Sequence, residues 1–248
     1  MRRFLFALLP ALCAPAQGPA DPPALIQLVQ VPGIIATPFR QYANARATVD
    51  VLGMTAITGE PESWFLEMHS TFGSIEDLDQ QLTPLAPASR DQSLSPPRTI
   101  IGRLRPEWGY HPYDAARLLP RARYFHVSIY RIRAGTEGDF GGLVKLRRES
   151  QDSVNLDRPE LAYEVISGAS SGTFFFLAPI VSLRAFDQGV PNTPEYAQGI
   201  ASQRAEARAK TAPATELSRE HLLFRVQPAL SYVSDDFASA DPAFWRGK

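Results

Sequence analysis

The stretch Arg123-Tyr124-Phe125-His126-Val127-Ser128-Ile129-Tyr130-Arg131-Ile132-Arg133-Ala134-Gly135 alternates two kinds of side chain and then stops at a glycine. Aromatic and β-branched residues on a period of two suit a pleated strand buried on at least one face, and Ala134-Gly135 supplies the turn that ends it. Thr136 to Asp139 follows with capping-box spacing, Asp standing where Glu or Gln is usual. Phe140, Leu143 and Val144 then recur at i, i+3 and i+4, so a helix is expected whose apolar stripe needs a sheet to cover it.

The same grammar occurs earlier in the chain. Leu25 to Val31 is a strand-like run ending at Pro32-Gly33, Thr37-Pro38 can open a helix, and Phe39, Tyr42 and Ala43 repeat the stripe at a constant offset of 101 from its second copy. Further matches keep one order. Ala56-Ile57-Thr58-Gly59 lines up with Val165-Ile166-Ser167-Gly168, Ser74 to Asp79 with Ser182 to Asp187, and Arg105 to Tyr110 with Gln227 to Tyr232. Strands are expected near 53–59 and 63–70, and again near 161–167 and 173–179, with closing strands at 98–105 and 221–227. Short Ser-capped helices are expected at 74 and 182. The order is therefore βαββαβ, twice, an α+β fold of two ferredoxin-like units with a self-repeat as its signature. The second unit carries an insert near 195–211, rich in Ala, Arg, Gln and Glu, which reads as an exposed helix touching the body through Tyr196 and Ile200.

On these motifs the chain resembles the dimeric α/β-barrel superfamily, which includes the antibiotic-biosynthesis-monooxygenase-like domains. The match runs from Arg123 through Gly168, Thr173 to Leu177 and Ser182 to Asp187, and extends over most of 24–234 as two units, 24–110 and 121–234. Members of that superfamily pair two subunits into a barrel. The resemblance implies that this chain supplies both halves itself, packed sheet to sheet, and is a monomer with pseudo-twofold symmetry. The tail 235–248 carries Phe237, Phe244 and Trp245, expected to dock on the body.

The amino terminus reads as an export signal. Met1-Arg2-Arg3 is a short positive region, Phe4 to Leu12 an apolar run, and Ala14-Pro15-Ala16 a small-x-small site, so cleavage is expected between Ala16 and Gln17, giving a secreted or periplasmic product. A lipid anchor at Cys13 is the rival, disfavoured by Leu12 just before it. Cys13 is the only cysteine, so cleavage would leave no disulfide and no thiolate chemistry. With 25 Lys plus Arg against 26 Asp plus Glu there is no basic field for nucleic acid, and no apolar run reaches the length of a membrane span.

Candidate site residues follow from strand alternation. On 124–133, Tyr124, His126, Ser128 and Tyr130 share one face and Phe125, Val127 and Ile129 the other. The apolar face is expected to meet the helices, leaving the polar face toward a cavity between the sheets, with His126 its proton-exchanging group. On 63–70, Trp64, Leu66 and Met68 alternate with Phe65, Glu67 and His69. Glu67 and His69 are an acid–base pair if their face is interior, and a solvated pair otherwise; Glu164, on the strand 161–167, poses the same question. Trp108, Tyr110 and Tyr232 read as packing aromatics, and Arg147-Arg148 and the arginines of 204–208 as solvated faces. The four histidines have no metal-box spacing, and no phosphate loop, nucleophile elbow or dinucleotide fingerprint occurs, so neither metal nor cofactor is expected.

Without an acid, base or nucleophile at interpretable spacing, a non-catalytic binding or interaction protein ranks first, taking a small aromatic or hydrophobic ligand. The resemblance implies two others: a cofactor-independent monooxygenase-like enzyme acting on an aromatic or quinone-like substrate, and a haem protein with His126 as axial ligand.

Overall fold

The structure is a computed structural model and describes residues 21–35, 49–69, 97–187 and 202–247. Among them eight strands close into one barrel in the order β1-β3-β2-β8-β5-β7-β6-β4. Strands β1 (Leu25–Pro32), β2 (Asp50–Ala56), β3 (Glu62–His69) and β4 (Arg98–Leu104) make the first sheet, in the order β4-β1-β3-β2. The second repeats it as β8-β5-β7-β6, from β5 (Tyr124–Ile132), β6 (Leu161–Ser167), β7 (Thr173–Ile180) and β8 (Glu216–Val226). Every pairing is antiparallel. The two sheets join edge to edge, β2 to β8 through Met54–Val226 and β4 to β6 through Arg103–Glu164, so no edge strand is left open.

The repeat in the sequence is a repeat in the backbone. Gly33 and Gly135 end the first strand of each unit at φ 86° and 82°, and Gly59 and Gly168 turn the second strand at 84° and 86°. Left-handed backbone at matched places is why glycine recurs there.

Inward-facing residues fill the barrel. Leu28, Leu52, Met54, Trp64 and Leu66 from the first sheet meet Phe125, Val127, Tyr163, Phe175, Leu177 and Phe224 from the second. Trp64 lies 4.2 Å from Phe224 and 6.3 Å from Phe175, ring centre to ring centre, across the barrel. This packing settles which face of β5 is inside. Phe125 and Val127 point into the barrel, whereas Tyr130 points outward against a helix, so the expected orientation is reversed. The reason is physical: an interior filled by apolar side chains excludes polar atoms more strictly than a sheet–helix layer that stays partly open.

Helix α1 (Pro112–Leu118) and a one-turn helix (Leu119–Arg121) connect the units. Helix α2 (Glu137–Ser153) covers the second sheet with Phe140, Leu143 and Val144 against Tyr130, Phe174 and Phe176, as its stripe requires. Thr136 makes no side-chain cap; its hydroxyl donates instead to the carbonyl of Arg133. The Ser182 turn does cap, accepting from the Arg184 amide at the head of a one-turn helix, Leu183–Phe186. The insert helix α3 is described over Ser202–Thr215, across Pro213; the earlier part of the segment expected near 195–211 lies outside the described residues. In the tail, α4 (Asp235–Ser239) and α5 (Pro242–Arg246) dock as expected: the Trp245 indole donates to the Pro120 carbonyl at 2.7 Å, and the Arg123 guanidinium covers Phe244 at 3.7 Å. The export segment, the expected helices around 37–43 and 74–79, and Tyr196 and Ile200 lie outside the described residues.

Candidate functional site

The outer face of the second sheet, beneath its helices, gathers most of the candidate polar groups. Ser128 of β5 faces His221 of β8 in the strand register, and its Oγ lies 2.9 Å from the imidazole Nδ1. The His126 ring is parallel to that of His221, 6° between planes and 5.5 Å between centres, and Phe186 stands edge-on to it at 5.5 Å. Arg158 lies over Phe186 at 5.0 Å. Beside these groups, a cleft of about 290 Å³ opens by the one-turn helix Leu183–Phe186, lined by Leu118, Asp157, Arg158, Ile180, Arg184 and Ala185 among others. That volume sits at the small end of ligand sites.

The surroundings of both imidazoles disfavour the charged form. Burial pushes the His126 pKa down to about 4, helped by the Arg158 and Arg147 guanidinium charges and by the nearby His221 ring. Burial likewise lowers His221, with Arg219, Arg147 and Arg158 adding to it. Arg147, expected on a solvated face, is instead only 17% exposed, ion-paired with Glu160 and 4.2 Å from the Phe176 ring. A guanidinium so buried needs that carboxylate, and the pair fixes a positive charge under the sheet–helix layer.

This arrangement makes stability depend on His126. Its folded pKa is below the unfolded value near 6.5, so the unfolded chain binds more protons between about pH 4 and 6.5 and stability rises with pH there. The contribution is complete above pH 6.5 and lost as the pH falls toward 4. Urea unfolding should therefore show a loss on the order of 2–3 kcal/mol between pH 7 and pH 4 that His126→Phe removes.

The other sequence candidates separate. Tyr124 is half-buried beside Arg225, whose guanidinium lies 5.8 Å from its ring, and Tyr130 packs 5.3 Å from both Phe140 and Phe176. Neither faces the barrel interior, and Trp64 is sealed inside it. Glu164 faces outward at the seam, where it accepts from Arg105 at 2.8 Å and Arg103 at 3.2 Å. Burial works against its charge, but those two bonds outweigh it and hold the carboxyl below its usual range. Its geometry is that of a clamp between β4 and β6.

Glu67 and His69 are neither inside the barrel nor solvated. They point to the outer face of the first sheet, 2% and 3% exposed, with the His69 Nε2 3.3 Å from the Glu67 Oε1. Sequence reasoning missed Gln27, which lies directly opposite Glu67 in the β1–β3 register and is 2% exposed. Leu28 faces Leu66 and Ile100 just as Val127 faces Leu177 and Leu222, so Gln27 holds in the first unit the place of His126 in the second. Phe186, Arg158 and Glu160 were also missed as partners, because only the tertiary fold brings them to β5.

His126 does not fit a haem ligand. Phe186 and the parallel His221 ring flank it at 5.5 Å, and the adjoining cleft of about 290 Å³ has no room for a porphyrin. Among the described residues no group of three His, Cys, Asp or Glu could hold a metal, and no helix is long and apolar enough to cross a membrane.

No family model and no curated protein matches this sequence. Solved structures do. An anthrone oxidase-like protein superposes with a TM-score of 0.51 at 10% identity, over 84% of this chain and 93% of that one. A chlorite dismutase from Candidatus Nitrospira defluvii, in complex with imidazole, gives 0.46 at 11% identity, over 88% and 94%. At such identities the likeness is one of fold. The closed barrel of two ferredoxin-like sheets is the dimeric α/β-barrel fold, with both halves built from a single chain.

Proposed function

We propose that the protein is exported and binds a small aromatic anion, without turning it over, in the layer between sheet and helices of its second unit. The observation that supports this most is the cleft next to the His126 layer, where Arg158 and Arg184, two guanidinium groups against the one carboxylate of Asp157, share the lining with Leu118, Ile180 and Ala185. The guanidinium groups suit a carboxylate or phenolate, Phe186 offers a ring edge, and the neutral imidazoles can donate or accept a hydrogen bond. A filled barrel leaves the ligand no place between the sheets. Export rests on Met1 to Ala16, and amino-terminal sequencing of secreted material should begin at Gln17.

Isothermal titration with salicylate and 1-hydroxy-2-naphthoate tests the site. Binding should weaken at least tenfold in His126→Phe and in Arg158→Gln, with melting temperatures at pH 7.5 close to the parent's. Equal affinity in both variants would remove the site.

The Ser128–His221 pair favours a second reading, a cofactor-independent oxygenase in which Ser128 orients the His221 ring as a base toward an acidic aromatic carbon. Its lowered pKa makes that imidazole a weak base, which is why binding ranks first. Oxygen uptake with anthrone above the uncatalysed rate, lost in His221→Gln, would replace the non-catalytic reading.

A further inference from the structure

We propose that Gln27, Glu67 and His69 form a site for one divalent transition-metal ion of the zinc class on the outer face of the first sheet. Three side chains, each at least 97% buried, meet there on two adjacent strands. Gln27 Oε1, Glu67 Oε2 and His69 Nε2 have no hydrogen-bond partner among the described residues. Two of these atoms are oxygens that only accept, and among the described residues their nearest neighbours in the strand register, Leu25, Val29, Val51, Phe65 and Ile101, are apolar. Two buried acceptor oxygens left unpaired beside an imidazole nitrogen suit a cation.

The geometry selects its class. His69 Nε2 and Glu67 Oε1 are 3.3 Å apart yet not aligned for a hydrogen bond. Zinc bonds of about 2.0–2.2 Å to nitrogen and oxygen at the tetrahedral angle put the two donors about 3.4 Å apart. One imidazole and one carboxylate are a borderline donor set, unlike the all-oxygen cages of calcium and magnesium. The Gln27 carbonyl oxygen would be the third protein ligand, and a water the fourth. The spacing of the sequence could not reveal this, since Gln27 lies 40 positions from Glu67 and joins it only through strand register.

The test uses untagged protein stripped with a chelator and dialysed, then titrated with zinc chloride and, separately, cobalt chloride. One zinc per chain should bind, the melting temperature should rise with zinc, and cobalt should give the intense visible bands of tetrahedral coordination. Glu67→Gln, which keeps the side-chain shape, should weaken zinc binding by more than the ~10–100-fold that loss of an outer partner costs. Gln27→Met provides the same readout should Glu67→Gln fail to fold. His111→Asn, which alters the exposed imidazole beside Asp114 and Asp152, should leave binding unchanged. Absence of stoichiometric zinc in the parent would overturn the proposal. So would binding that survives in Glu67→Gln or Gln27→Met, or binding lost in His111→Asn.

Discussion

Trp64→Ala lowers stability by about 3–5 kcal/mol, read as a fall in the urea midpoint with the slope unchanged. The indole is 1% exposed, it lies against Phe224 and Phe175 of the opposite sheet, and it is the largest side chain sealed in the barrel. Its removal deletes contacts that tie one ferredoxin-like unit to the other, and the surrounding strands cannot collapse into the space because the barrel is closed. The loss should appear in a single transition. Were the two units to unfold separately, with only one of them affected, the shared core would be disproved.

Gly168→Ala is expected to cost at least about 4 kcal/mol, or to prevent folding. A Cβ there would stand 1.9 Å from the Thr99 carbonyl oxygen and 2.8 Å from the Ile100 Cα, at the seam where β4 meets β6, and φ is +86°. Backbone strain accounts for roughly 1–2 kcal/mol of this, and separation of the seam for the rest. Gly135→Ala is the control. Its φ is +82° but a Cβ would meet nothing within 4 Å, so only the strain should be felt. Comparable losses at the two positions would contradict the seam.

The repeat was legible because both copies keep the marks that backbone geometry demands: a glycine at positive φ after the first strand and another after the second. Strand positions followed from alternation, as at Tyr124–Ile132. Which side of β5 faces inward was not legible. Both of its rows are largely buried, one in the barrel with Phe125 and Val127, the other under α2 with Tyr130, and a polar row can mark an interface with helices as readily as a cavity. Arg147 looked solvated for a similar reason: Glu160 and the Phe176 ring become its neighbours only once β6 and β7 pair beneath α2. Glu67 and His69, two apart on one strand, were legible as a pair, but their depth and Gln27 opposite them belong to tertiary structure.

The central claim is that small ligands bind against His126 in the sheet–helix layer of the second unit and not inside the barrel. A single experiment reads both places: nitrogen–proton correlation spectra of the labelled protein during titration with 1-hydroxy-2-naphthoate. The indole of Trp64 reports on the barrel interior, and the ring nitrogens of His126 and His221 report on the layer. The account predicts saturable shifts at both histidines and at the backbone amides of Arg158 and Phe186, with the Trp64 indole unmoved. A shift at Trp64 with the histidines unmoved, or no saturable shift at His126 and His221, would contradict it.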